Sequence, residues 1–585
     1  MKALVVLIAF LMTAPLVPAQ AHNSADAVFY HGNILTGVDL EDAHPQRVSA
    51  LAVAHGEIVG TGSDADVLAK YRGPRTKRIN LRGAFVMPGF NDAHAHLGMG
   101  GRILLSVDLL GVKSLAEMQA RIRAAAQKAA PGQWLTGGGW DHTLWPGGKL
   151  PDRRDIDAAT LGHPAIFTRV DGHIAVADSA ALAAAGITRA TPAPEGGEID
   201  HAANGEPTGI LRETAQSLVR VPPPTPEQRR RGLELAIQDA ISHGVTTVQD
   251  FSDWDDFLAM ERMEREGRLP VRISEWIPFA EPLSIEKEQR AQHPKTDRML
   301  RTTMLKGFMD GSLGSRTAAL HLPYSDDPGN SGIPRFEQSQ LNAMAIERAK
   351  AGFQMGFHAI GDRAVDMALN AFAAAEAALG PPMRIVPPRV PPVRKGAQPE
   401  YRPATIFPFI NLRYRIEHSQ VVTPGDFARY KELGVIASMQ PNHLLTDMAW
   451  AEKRLGPERS KYAYAWKSFL DAHVPLAFGT DYPVEPITPF RGVYAAVTRE
   501  NEAGTMSFHP EQKLTIWQTL YAYTQGSAFA EFAETWKGKL APGFVADFVV
   551  LDRDLTAIPP HEILGTIVLR TVVGGKTVYT RPASR

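Results

Sequence analysis

Two histidines separated by one residue, His94 and His96, close the run Pro88-Gly-Phe-Asn-Asp-Ala-His94-Ala-His96. Side chains alternate along a strand, so both imidazoles leave the same face and can share a metal ion. Alone, an H-x-H pair is a weak signal in a chain with 19 histidines. Its weight comes from its company. His358 ends Gln354-Met-Gly-Phe-His358, His418 ends Arg413-Tyr-Arg-Ile-Glu-His418, and Asp481 ends Leu476-Ala-Phe-Gly-Thr-Asp481. Lys306 sits in Thr303-Met-Leu-Lys306-Gly-Phe-Met309. Each lies at or near the end of a strand-like run that gives way to loop-like sequence. The chain has no cysteine. That excludes disulfides, thiolate zinc sites, iron–sulfur clusters and a cysteine nucleophile, and leaves His, Asp, Glu or a modified side chain to hold a metal. No G-x-S-x-G elbow occurs at a strand-to-helix turn. What these residue types can do together is bind a metal ion.

These residues can meet only if several strands point the same way. The strand-like runs alternate with helical stretches such as Leu341–Ala351 and Arg363–Ala378, which implies βα units and a parallel sheet. Core strands are expected near Phe85–Asn91, Val245–Asp250, Val271–Trp276, Thr303–Met309, Gln354–His358, Arg413–Glu417, Val435–Met439 and Leu476–Thr480. That is the strand count of an α/β fold of the (β/α)8 TIM-barrel type, whose active sites lie at the C-terminal strand ends. The barrel is expected over residues 88–537. Residues 100–240, with their own β-runs at Gln133–Gly137 and Ala165–Val170 and a helix over Leu115–Ala130, read as a large insertion on the rim after the first barrel strand. Residues 381–408 carry three Pro-Pro pairs and read as an exposed Pro-rich loop. Residues 22–87 and 538–585 are both β-rich and small, and together predict a β-sandwich formed by both chain ends.

Residues 1–21 read as a secretory signal: Met1-Lys2, an apolar run from Ala3 to Met12, then Ala19-Gln20-Ala21 before His22. The mature protein is therefore expected in a periplasm or secreted, with no membrane attachment once the signal is cleaved. Net charge is −1, from 62 Lys+Arg against 63 Asp+Glu. No basic excess exists to bind nucleic acid.

In its motifs the chain resembles the amidohydrolase superfamily, and within it the amidohydrolase family 3 branch of YtcJ-like or N-substituted formamide deformylase-like proteins. The motifs are Pro88 to His96, Lys306-Gly-Phe-Met-Asp-Gly-Ser-Leu-Gly-Ser-Arg-Thr-Ala318, His358-Ala-Ile-Gly-Asp-Arg363, Arg415-Ile-Glu-His-Ser-Gln420, Gly479-Thr-Asp-Tyr-Pro483 and Gly538-Lys-Leu-Ala-Pro-Gly-Phe-Val-Ala-Asp547. They occur in the family's order over nearly the whole mature chain.

The resemblance implies that His94 and His96 bind one divalent metal and His358 and His418 a second. Lys306, carboxylated to a carbamate, would bridge the two, and Asp481 would be both ligand and base. Zinc fits these donors, as do manganese, cobalt and iron, with one or two ions. In the implied mechanism Asp481 takes the proton of the attacking water and later returns it to the leaving nitrogen. Trp140 and Asp141, after Gly137-Gly-Gly139, and His173, in Asp171-Gly-His173, belong to motifs that recur in the branch and are expected to reach substrate from the insertion. Asp310 and Arg316 follow Lys306 and are further substrate candidates, although for Arg316 fixing its loop by a salt bridge is the slightly favoured role. His163 and His243 read as structural; Glu417, next to His418, could orient a neighbour but reads more readily as structural.

The expected activity is hydrolysis of a small-molecule carbon–nitrogen bond in an amide, formamide or cyclic amide. Ester or phosphoester hydrolysis at the same ligands stays open. A non-catalytic binding protein on this scaffold would predict a broken ligand set, whereas every expected ligand is present. A homo-oligomer is compatible with the sequence.

Overall fold

Eight parallel strands hydrogen-bond in chain order into one sheet. They are β1 (Phe90–Ala95), β2 (Val245–Asp250), β3 (Arg272–Pro278), β4 (Leu300–Phe308), β5 (Gln354–Ala359), β6 (Arg415–His418), β7 (Ile436–Met439) and β8 (Leu476–Phe478). The computed structural model describes residues 24–40, 45–294, 296–380 and 412–582. The expected signal segment and Pro-rich loop lie outside the described residues. Among these residues, no helix is long and apolar enough to cross a membrane.

The strands are almost entirely buried, because helices cover the outer face of the barrel and packed side chains fill the inner one. The helices that matter here are α1 (Leu97–Leu105), α2 (Pro226–Ser242), α3 (Trp254–Arg265), α4 (Leu283–Gln292), α5 (Gln338–Lys350) and α6 (Asp362–Leu379). The start of α2 is written in its sequence. Thr225 and Gln228 form a capping box around Pro226, which needs no N–H in the first turn. Helices α1 and α2 approach so closely that a Cβ on Gly101 would lie 2.4 Å from the Gly232 carbonyl carbon.

The sheet closes through main-chain bonds from the end of β8 to β1. Asp481 N–H donates to His94 O and His96 N–H to Tyr482 O, each at 2.7 Å. The buried Asp92 carboxylate reinforces the seam by accepting from Thr480 N–H at 2.9 Å and His94 N–H at 3.1 Å.

The first barrel strand differs from the sequence expectation. The apolar run from Phe85 is two strands. Phe85–Pro88 lies in a separate sheet beside Asn33–Leu35 and Phe548–Leu551, and the barrel strand begins at Phe90. Both pieces are buried, so hydropathy does not mark the passage between them. That separate six-stranded sheet and a four-stranded one, built from the two ends of the chain, share a core in which Phe29, Val53 and Ile58 meet Phe548, Val550 and Val572. A buried Arg272–Asp547 pair, with Nη2 and Oδ1 2.9 Å apart, ties this sandwich to the start of β3. Between α1 and α2, a mixed six-stranded sheet spanning Val107 to Glu213 encloses its own cores.

At the seam, a Cβ on Gly479 would lie 2.5 Å from His94 N and 2.6 Å from Asp92 Oδ1. Gly479→Ala is therefore expected to destabilise the protein by about 1–3 kcal/mol through overpacking against backbone. Denaturant or thermal unfolding checks this, and an unchanged midpoint would show that the seam can yield.

Candidate metal centre

The C-terminal ends of β1, β4, β5, β6 and the segment after β8 converge on one carboxylate. Asp481 Oδ1 lies 3.1 Å from His96 Nε2 and 3.6 Å from His94 Nε2, while Oδ2 lies 3.1 Å from His443 Nε2. The His418 ring is 4.9 Å from His94, 4.4 Å from His358 and 6.0 Å from His443, centroid to centroid. Lys306 Nζ sits 2.8 Å from His94 Nε2. The six residues that the motifs single out are thus brought into one cluster. Backbone strain helps to aim two of them: His418 (φ 73°) and Asp481 (φ 60°) occupy the left-handed region, which costs about 1–3 kcal/mol each and persists only where packing enforces it.

Second partners fix which nitrogen of His94, His96 and His358 faces the cluster. His94 Nδ1–H donates to Glu417 Oε2 at 2.9 Å. Glu417 is held in turn by Arg415 Nε at 2.8 Å, and Arg415 also donates to Ala93 O, Ser438 Oγ and Gln249 Oε1. His96 Nδ1–H donates to Phe251 O at 2.8 Å, and His358 Nε2–H to Gly311 O at 2.9 Å. A carboxylate or carbonyl behind a histidine is the usual way of orienting a metal ligand. Glu417 takes the neighbour-orienting alternative, with His94 as the neighbour.

Burial pulls His94 and His418 well below the usual histidine range, and pulls His358 to about 4 with help from the Lys306 charge. These three imidazoles are neutral, the form that ligates metal. Burial alone would push Asp481 up. The neighbouring His94, His443 and His96 reverse that and hold its carboxyl well below the usual range. His443 moves the other way: burial lowers it, but its hydrogen bond to Asp481 raises it overall. Burial pulls the Lys306 amine down to about 8, opposed by the Glu417 and Asp481 charges.

The donors fit a divalent cation. His96 Nδ1 faces Phe251 O and its Nε2 faces Asp481 Oδ1 at 3.1 Å, so the ring presents one nitrogen to the carboxylate, the side on which a shared cation would sit. His418 Nδ1 is buried without a hydrogen bond, and an orphaned imidazole nitrogen of this kind is costly unless something binds it. Two sets of donor atoms lie within 4.8 Å of one another: His94, His96 and Asp481, and His418, His443 and Asp481.

His443 is absent from the sequence-based ligand set. It opens a short helix just beyond β7, in Met439-Gln-Pro-Asn-His443. A histidine shortly after a strand end was the available signal, set back by a Pro-Asn turn.

The substrate candidates lie elsewhere. Trp140 is fully buried, with Nε1–H capped by Phe167 O at 2.8 Å; it is a core residue of the inserted sheet, and the expectation of substrate contact is corrected. Asp310 is likewise buried, and accepts the N–H groups of Ala319, Ile360 and Gly361 at 2.8–3.1 Å. Burial pushes its carboxyl to about 7. It lies 3.4 Å from His358 Nε2. Arg316 pairs with Asp326 at 3.0 Å, the loop-fixing alternative. Asp141 caps a turn and pairs with Arg169 at 2.7 Å, and the exposed His173 pairs with Glu213 at 3.0 Å. Both partners belong to the inserted segment.

A sequence model described as "Amidohydrolase family" matches residues 77–395 and 397–579. The chain is 32% identical to LONG AFTER FAR-RED 3 of Arabidopsis thaliana over 569 residues, covering 95% of this chain and 92% of that one. It is 31% identical to YtcJ of Bacillus subtilis, an amidohydrolase by name, over 95% of this chain and 99% of that one. It is 25% identical to the N-substituted formamide deformylase of Arthrobacter pascens, over 96% and 99%. Among solved structures, an uncharacterised metal-dependent hydrolase from Pyrococcus furiosus is similar at a TM-score of 0.72 and 31% identity, over 91% of this chain and 99% of that one.

Glu417→Gln keeps the size of the side chain but removes the charge behind His94. It is expected to weaken metal binding about 10–100-fold, measured by competition with a chromogenic chelator. Unchanged affinity would show that Glu417 serves Arg415 alone.

Proposed function

The chain belongs to the amidohydrolase family, and from that premise we propose that it is a metal-dependent hydrolase of carbon–nitrogen bonds other than peptide bonds. The substrates are amides, formamides or cyclic amides. The observation that carries this reading is the ionised Asp481 carboxylate, shared between His94 and His96 on one side and His443 on the other. The name of the Arthrobacter pascens relative, a formamide deformylase, supports the bond class.

His94, His96, His358, His418 and Asp481 would hold divalent metal, for which zinc fits the donors; when bound it would supply Lewis acidity toward the substrate carbonyl and lower the pKa of water. The remaining work falls to side chains. Asp481 is unprotonated at neutral pH and takes the proton of the attacking water. His443 anchors Oδ2, which leaves Oδ1 directed at His94 and His96. The proton on Asp481 is then delivered to the leaving nitrogen, which departs as a neutral amine.

Lys306 is placed for a different task. An ammonium beside the ligand nitrogen of His94 would repel a cation. Burial that brings the amine to about 8 leaves a substantial neutral fraction, and the neutral amine adds to CO2 to give a carbamate with release of a proton. The carbamate would put one negative charge, shared over two oxygens, where the ammonium put a positive one, and would add an oxygen ligand for a divalent cation. The leader-like N-terminus supports action outside the cytoplasm.

Asp481→Asn is expected to retain metal while turnover of N-formyl and N-acyl amines falls about 10²–10⁴-fold, the span of general acid–base catalysis. Full activity would remove Asp481 as the base. Turnover of esters with none of any amide would overturn the bond class. Lys306→Ala is expected to lose activity and to regain part of it in formate, acetate or propionate, which replace the carbamate. Unchanged activity without added carboxylate would show that Lys306 is not a ligand.

A further inference from the structure

A second group of ligating side chains lies at the other end of the barrel. Glu261 and Glu264 project from the last turns of α3, His293 follows the last turn of α4, and Asp297 lies in the segment leading into β4. Barrel helices run antiparallel to the strands, so these positions are on the N-terminal face, away from the Asp481 cluster.

His293 is only 8% exposed, and its ring stands edge-on to Phe257, 6.0 Å between centroids. Its Nδ1 faces Glu261 Oε1 at 3.4 Å, and Glu261 is anchored by Arg265 at 3.0 Å. Its Nε2 is buried without a hydrogen bond. Two carboxylate oxygens point at that nitrogen, Glu264 Oε2 and Asp297 Oδ2, each at 3.4 Å. Asp297 cannot swing freely, because Oδ1 accepts the N–H groups of Met299 at 2.7 Å and Leu300 at 3.2 Å. Among the described residues, neither Glu264 nor Asp297 has a Lys or Arg at ion-pair distance.

The spacing is informative. A charge-assisted N–H···O bond closes to about 2.7–2.9 Å, and neither contact has done so. Ligands about 2.0–2.2 Å from a tetrahedral cation, by contrast, sit about 3.3–3.5 Å from one another. The donor atoms of Glu264, His293 and Asp297 lie within 4.8 Å of one another. One imidazole backed by a carboxylate, with two further carboxylates, matches zinc, cobalt or manganese, whereas a calcium site would be all oxygen.

The geometry points to a second divalent transition-metal site at Glu264, His293 and Asp297, oriented by Glu261 through His293 Nδ1. Its role is structural. It clamps the C-terminal ends of α3 and α4 to the start of β4, the strand that carries Lys306. It does not depend on the proposed activity, since none of its residues touches the Asp481 cluster.

The first test is anomalous scattering at the zinc edge from crystals of the mature protein equilibrated with micromolar zinc. A peak bonded to His293 Nε2 is expected. A map without that peak, with His293 hydrogen-bonded directly to a carboxylate, overturns the site and leaves an imidazolium held by anions. The second test dialyses metal-stripped wild type, His293→Gln and Asp297→Asn against the same zinc. Each variant is expected to bind about one equivalent fewer than wild type, to keep its circular dichroism, and to lose part of the zinc-dependent rise in Tm. Equal metal content in wild type and a folded variant overturns the proposal. Should both variants fail to fold, the anomalous map of wild type decides.

Discussion

The main-chain bonds between Asp481 and His94, and between His96 and Tyr482, do two things at once. They close a sheet that would otherwise have two open edges, and they put the Asp481 carboxylate against the two histidines of β1. An edge of unpaired N–H and C=O groups is a liability, so the drive to close the barrel also assembles the site. The chain spends its entire βα succession bringing these two strands together. Asp92 lies at the seam because closure leaves amides near Thr480 that need an acceptor where no water reaches.

Below the cluster, the charges are arranged in layers. Arg415 lies at the bottom among Gln249, Ser438 and Ala93 O. Glu417 rests on it, His94 rests on Glu417, and Lys306 and Asp481 meet His94 from above. Each buried charge has an opposite charge or a dipole next to it, which is the condition for keeping ionised groups in a barrel interior. The order also explains why His94 is held neutral while Asp481 stays ionised. Burial, and after it the Lys306 charge, opposes a positive charge on the His94 imidazole, and the neighbouring histidines stabilise a negative one on the Asp481 carboxylate.

Much of this was legible in the sequence. A buried parallel strand is a nearly continuous apolar run, so His358, His418 and Asp481 stand out as polar residues at the ends of such runs. The fold class follows from the same runs counted together. What sequence could not show depends on partners far along the chain. Glu417 looks structural until His94, 323 positions away, is found against it. Trp140 follows a glycine-rich stretch, which suggests close approach to a ligand, and Asp310 follows Lys306, but one fills a core and the other gathers three backbone amides. Both answers depend on burial. His443 escaped because a turn separates it from its strand. The division at Gly89 was invisible because two buried strands of different sheets share one apolar run.

The sheet between Val107 and Glu213 has a further consequence. Its interior, centred on Leu109, Met118, Ile122, Trp140 and Phe167, is distinct from the barrel core, and it joins the chain only between α1 and α2. A body with a separate core is a cooperative unit of its own and can open locally while the rest stays folded. Descendants of this protein can therefore accumulate changes in that unit without disturbing the seam that assembles the ligands.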